Sequence, residues 1–266
     1  MLRNVFLKTL RDRRRAIAGW SVGLVAMTVF SVALYPSVKE NAADLAKLTE
    51  SLPKEILALV GGDIDFASGA GFLHSRFFAF LGPLLLIVFT IGFGARTIAG
   101  EEQAGTLELV LATPVPRRSI VAQKLGGMLA AMTTLGVVLW AAFALGSEAW
   151  DVGVTAGRIG AAVLSAVLLA LTFGTIALLV GSATGKRAFA STAATVTAVV
   201  TYLMNAYASL VDALKPWRYA SPWYYYDSAN ILRGVIEPGN LVVLVGLVAV
   251  FSSIALVVFD RRDVGV

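Results

Sequence analysis

The stretch Gly181-Ser-Ala-Thr-Gly-Lys-Arg187 is the part of this sequence closest to a motif with chemistry of its own. A phosphate-binding loop reads G-x-x-x-x-G-K-[ST]; its backbone N–H groups cradle phosphates, its lysine reaches the terminal ones and its hydroxyl holds magnesium. Here the spacing is one residue short, and Arg187 stands where the hydroxyl belongs. No strand pattern precedes it. The stretch reads as a turn between two helices, and this chain alone is not expected to hydrolyse ATP. The chain has no cysteine and one histidine, His74. That excludes disulfides, thiolate metal sites and cysteine nucleophiles, and argues against multi-histidine metal sites and a Ser-His-Asp triad. The remaining concentration of functional side chains is Gly100–Lys124, GEEQAGTLELVLATPVPRRSIVAQK.

The elements that must position these residues follow from composition. The 266 residues are 58% hydrophobic and 15% charged, against about 45–50% and about 25% in soluble domains. Such a chain can hide its apolar surface only in lipid. Six stretches without a charged residue are long enough to span a bilayer: 16–35, 77–95, 125–145, 159–180, 188–210 and 241–259. They lack the polar stripe of a soluble core helix. The expected fold is therefore all-α, a polytopic membrane protein with six transmembrane helices forming one domain over 1–266. The first span is too long for a cleaved signal peptide and is expected to be retained.

Lysine and arginine set the expected orientation. Fourteen of the 22 basic residues lie in the N-terminal tail, the loops after spans two and four, and the C-terminal tail. Both termini are thus expected in the cytoplasm, in a plasma or inner membrane. This distribution accounts for a pI near 9.6 through contact with anionic headgroups, without a nucleic-acid ligand. On the opposite side, Leu45, Leu48, Leu52, Ile56 and Leu59, with Pro53 and Gly61-Gly62, suggest one or two short amphipathic helices. Trp217, Tyr219, Trp223 and Tyr224–Tyr226, broken by Pro216 and Pro222, suggest interfacial anchoring in a partly re-entrant loop.

The spans contain no ionisable side chain, so an ion-coupled transporter has nowhere to bind its driving ion. Any uphill transport must draw its energy from elsewhere. In the fifth span Ala193, Thr197, Thr201 and Asn205 recur every four residues and share one face. That face serves either close helix packing with interhelical hydrogen bonds or the lining of a pathway or dimer seam. Gly82-Pro83 marks a bend in the second span.

Within Gly100–Lys124 the pattern is a short helix, with Leu107, Val110 and Leu111 on one face and Glu101, Glu102 and Glu108 elsewhere. It stops at Pro114-Val-Pro116, and a new helix follows that Ser119 could cap. So much ordered-looking chain between two spans implies a docking partner or a membrane-surface helix. The run Glu101-Glu102-x-x-Gly105-Thr106-Leu107-Glu108-x-x-Leu111-Ala112-x-Pro114-Val115-x-Arg117 resembles the signature loop of ABC transporter permeases of the type-2 exporter class. The basic lead-in, the six-span layout and Ser221-Pro222-Trp223-Tyr224-Tyr225 before the last span fit the same resemblance.

The resemblance implies a permease without an ATPase of its own, paired with two cytoplasmic ATP-binding subunits that bind the ATP and magnesium. A second copy or a sister permease would complete the pathway. It also implies that Glu101, Glu102, Gly105, Thr106, Leu107, Glu108, Leu111 and Arg117 form or flank a coupling helix. The basic N-terminus would be an amphipathic helix on the inner membrane surface, with Leu2, Phe6, Leu7 and Leu10 opposite Arg3, Lys8, Arg11 and Arg14. The alternative from another class is a membrane anchor that recruits a cytoplasmic partner without transport; co-purification with an ATPase separates the two. A lipid-modifying enzyme would need catalytic acids or histidines in the spans, and those are missing.

Overall fold

The computed structural model describes residues 4–41, 43, 44, 47, 53, 56, 68–108, 115–208 and 210–262. Six long helices carry it: α1 (Val5–Ala33), α2 (Leu81–Ala95), α3 (Arg117–Ala149), α4 (Ala156–Thr184), α5 (Arg187–Tyr207) and α6 (Pro238–Arg261). Among the described residues there is no strand. With the short turns that extend α1 and α2, all six are long and apolar enough to cross a membrane.

The helices outrun the apolar stretches that announce them. α1 has 29 residues and α3 has 33, about 43 and 50 Å at 1.5 Å per residue, while the hydrocarbon core is about 30 Å thick. The N-terminal segment is consequently not a separate surface helix. It is the first part of α1, started by Asn4, whose side chain accepts from the Phe6 N–H at 2.9 Å. No helix breaker separates Arg15 from Ala16, and this first part packs on α3: the Phe6 ring lies over Gly126, and Thr9 crowds Gly127. α3 likewise begins at Arg117, with Pro116 at its cap position. Ser119 therefore lies inside the first turn, where its hydroxyl accepts from the Gln123 amide at 3.1 Å.

α4 is the axis of the bundle, packing against α2, α3, α5 and α6, while α1 packs on α3. Its small residues, among them Ala162, Ala166, Ala170, Gly174 and Ala177, let four neighbours approach closely. The closest approach is to α2. A Cβ on Gly94 would run into the Gly174 carbonyl oxygen, and one on Gly174 would stand 2.8 Å from the Thr90 Cβ. At this crossing Thr90 Oγ1 donates to the Ala170 carbonyl at 2.8 Å.

The second span is the irregular one. It starts as a short helix at Gly69–Leu73, widens into a π turn at His74–Phe78 and breaks at Phe80 (φ −142°) before α2 begins. The bend expected at Gly82-Pro83 thus falls just ahead of them. Pro83 sits in the first turn of the new helix, where its missing N–H costs nothing. The loop before α6 repairs the break: Tyr226 donates its hydroxyl to the Phe78 carbonyl at 2.7 Å, and Ser228 Oγ stands 3.1 Å from His74 Nδ1. A second π turn, Arg96–Gly100, follows α2 and runs directly into Glu101–Gln103.

The aromatic loop before α6 divides. Trp217 and Tyr219 are exposed, as interfacial anchors would be, but Trp223 and Tyr226 are buried. Trp223 packs on Tyr202 of α5 and Phe173 of α4, and its indole N–H donates to the Ala198 carbonyl at 3.2 Å. Burial holds the Tyr226 phenol above the ordinary tyrosine range, so it remains a neutral donor. Most of the 45–67 stretch, including Leu45, Leu48, Leu52, Leu59 and Gly61-Gly62, lies outside the described residues; Ile56 is helical and exposed.

Candidate functional site

One end of the bundle gathers the basic residues of α1, the α2–α3 segment, the α4–α5 turn and the end of α6; we call it the basic face. The segment that follows α2 is anchored there by charge. Glu101 and Glu102 continue the helical path of the second span and point back into the protein. Glu101 pairs with Lys124 of α3 at 2.5 Å. Lys124 is only 1% exposed and also donates to the Thr97 carbonyl at 2.5 Å. A buried ammonium is tolerable only with such partners, because an unpaired one costs several kcal/mol.

Glu102 meets the guanidinium of Arg262, just beyond α6, with both carboxylate oxygens; Nη1 to Oε2 is 3.0 Å. The same Arg262 donates to the Ser182 carbonyl of α4 at 3.2 Å. Its own carbonyl accepts from Arg117 at 2.8 Å, and Arg118 pairs with Asp260. Gly185 closes α4 in the left-handed region (φ +66°) directly beneath the Glu102–Arg262 pair, where a Cβ would collide with both side chains. The stretch Gly181–Arg187 is therefore a helix C-cap and turn with helices on both sides.

The next residues divide into an anchor and a crest. Gly105 adopts a left-handed turn (φ +67°), and Thr106 donates N–H and hydroxyl to the Glu101 carbonyl. Leu107 turns inward, 1% exposed, into a cluster with Ile98, Val121, Leu178, Ala255 and Phe259. The cluster draws on the second, third, fourth and sixth spans. Gln103, Ala104, Gly105, Thr106 and Glu108 are exposed. Val110, Leu111, Ala112 and Pro114 lie outside the described residues.

The structure therefore brings Glu101, Glu102, Leu107 and Arg117 together as internal fastenings and leaves Gly105, Thr106 and Glu108 at the surface. Lys124 and Arg262 belong to the same network, and sequence reasoning missed both. Lys124 carried a signal, since Val121, Lys124 and Met128 fall on one buried stripe of α3. Arg262 carried none beyond its basic neighbourhood.

The polar face of α5 lies elsewhere. Ala193, Thr197, Thr201 and Asn205 are half-buried, whereas Ala190, Ala194 and Ala198 form the buried stripe. Thr197 donates to the Ala193 carbonyl at 2.9 Å and Thr201 to the Thr197 carbonyl at 2.7 Å. These hydroxyls are thus spent within their own helix. Ser221, donating to the Thr201 carbonyl at 2.8 Å, and the indole of Trp223 tie α5 to the loop before α6.

Six apolar helices, an irregular second span and a clamped segment after it define a polytopic membrane protein. The chain belongs to the ABC-2 transporter family: the family model for ABC-2 family transporter protein matches residues 3–264. It is a transmembrane permease component, and the family is one of membrane subunits rather than of nucleotide-binding enzymes. The comparison with curated proteins gave no match.

Proposed function

We propose that this permease is the membrane half of an ATP-driven exporter. Two copies, or this chain and a sister permease, form the pathway, and separate cytoplasmic ATP-binding subunits drive it. The basic face is then cytoplasmic, and the segment from Glu101 to Arg117 is where the ATPase grips. ATP and magnesium belong to that partner.

The observation that carries this reading is the division of the segment into a buried anchor and an exposed crest. Glu101, Glu102 and Leu107 fasten it to the ends of the second, third, fourth and sixth spans. Gln103–Thr106 and Glu108 stay available to a partner. A push on the crest is then delivered to four helices at once rather than absorbed by a loose loop. Transport becomes a shift between pathway conformations powered by the different affinities of the ATPase for them. The face of Ala193, Thr197, Thr201 and Asn205 faces the pathway or the second permease in this scheme.

The test is co-reconstitution with the cognate ATP-binding subunit, comparing Thr106→Arg/Glu108→Arg with the unaltered protein. The reading expects normal membrane insertion, lost ATPase association and lost export. Normal association and export by the double variant would refute it.

A further inference from the structure

On the basic face, a cavity of about 500 Å³ opens between α1, the end of the second span and the start of α5. Arg13, Arg96 and Arg187 line it, from three different elements, together with Thr9, Thr97 and Thr106. None of the three arginines has an ion-pair partner among the described residues. Two carboxylates share the wall, Asp12 and Glu101, and Glu101 is already committed to Lys124. The cavity therefore holds about two uncompensated positive charges, and Arg13 lies within electrostatic reach of Arg96 and Arg187. Guanidiniums do not converge on one polar hollow without cost unless an anion compensates them.

The apolar surroundings say which kind of anion. Arg13 lies over the Phe93 ring at 5.4 Å, and further into the membrane Trp20 of α1 meets Phe89 of α2 edge-on at 5.7 Å. Beside these rings Leu84, Val88 and Gly92 recur at four-residue spacing above Arg96, with Leu84 and Val88 exposed and no neighbour within 4 Å of a Cβ at Gly92. A basic polar seat at the end of an open apolar stripe has the form of an amphiphile.

We propose that this cavity seats the phosphate headgroup of an anionic phospholipid from the leaflet that holds the N-terminus of α1, with an acyl chain along the α2 stripe. The shared chemistry is a phosphate ester, which a soluble anion could also supply. The proposal rests on the membrane-spanning fold and not on the ATPase reading, so either can fail alone.

The full chain, delipidated in neutral detergent, is titrated with dioleoyl phosphatidylglycerol, dioleoyl phosphatidylcholine or glycerol 3-phosphate, and bound lipid is counted by native mass spectrometry. One phosphatidylglycerol should bind saturably, with phosphatidylcholine far weaker. Arg96→Gln and Arg187→Gln should each weaken it about fivefold, from about 1 kcal/mol per basic group. Arg14→Gln, on the same helix as Arg13 but outside the cavity, should stay within twofold. Equal weakening by Arg14→Gln, or unchanged affinity in Arg96→Gln/Arg187→Gln, overturns the site. Displacement of the lipid by glycerol 3-phosphate at matched concentration overturns the lipid assignment in favour of a soluble phosphate ester. Retained melting temperature in lipid-free detergent distinguishes a lost seat from a lost fold.

Discussion

Arg262, just past the end of the last span, reaches across the basic face to close on Glu102, just past the end of the second, with two guanidinium nitrogens facing two carboxylate oxygens. The pair lies 160 residues apart in sequence and joins the helical ends that any movement of the α2–α3 segment must carry. A third contact, to the Ser182 carbonyl, brings the central helix into the same fastening.

Arg262→Gln removes the charge and the fork geometry while leaving most of the side chain. The pair is about four-fifths buried, so its loss should cost about 1–3 kcal/mol, a downward shift of the melting transition in detergent. Lysine at this position should recover only part, because it cannot donate in a fork. A thermal shift series on Arg262→Gln and Arg262→Lys checks this; equal melting of all three proteins would deny the pair a structural role.

Lys124 poses a sharper test. Glu101→Gln leaves its ammonium buried with only neutral acceptors, the Thr97 carbonyl and the new amide oxygen, and losing the counter-charge of a buried pair is expected to cost about 3–5 kcal/mol. Lys124→Met/Glu101→Gln removes the orphaned charge and fills the space with an apolar chain, so it should be more stable than Glu101→Gln alone. Chemical denaturation of the single and double variants in mixed micelles reads the difference. A double variant worse than the single one would mean that Lys124 is stabilised from elsewhere.

The crossing of α2 and α4 tolerates no added volume. Gly174→Val forces a side chain against Thr90 and the Met128 sulfur and should cost about 1–3 kcal/mol or more, whereas Gly157→Ala, which meets nothing, should be neutral or slightly stabilising. Expression level and melting temperature in the same detergent compare the two. Indistinguishable variants would mean that the helices are not in contact there.

Tyr226→Phe leaves the Phe78 carbonyl facing the break in the second span without its strongest donor. A buried acceptor left unsatisfied costs about 1–3 kcal/mol, and the loss should appear as faster amide exchange around Phe78–Phe80 before any global change. Unaltered exchange would show that the break does not need the phenol.

Much of this architecture was legible in the residues. Uninterrupted apolar runs announced the six spans because a charge in hydrocarbon is costly enough to be avoided. Their true ends were not, since Arg13, Arg117 and Lys124 sit comfortably in helices that project past the hydrocarbon; charge ends a span without ending a helix. The motif from Glu101 to Arg117 stands out in the sequence, yet its two leading glutamates serve the interior. Their partners, Lys124 and Arg262, lie on other helices, and no local pattern reports a long-range pair. At the threonines of α5 the spacing is ambiguous: four residues suit bonds across a helix interface and bonds to the preceding turn equally, and Thr197 and Thr201 make the second kind.

Because the chain has no cysteine, one introduced thiol reports a single position. Gln103→Cys on the exposed crest, with Trp217→Cys in the exposed aromatic loop as its opposite, can be probed in sealed cells with a membrane-impermeant maleimide. The thiol at position 217 should label from outside, the one at 103 only after the membrane is opened, and co-expression of the ATP-binding subunit should protect 103. Labelling of position 103 on intact cells would put the segment on the wrong side of the membrane for any cytoplasmic motor.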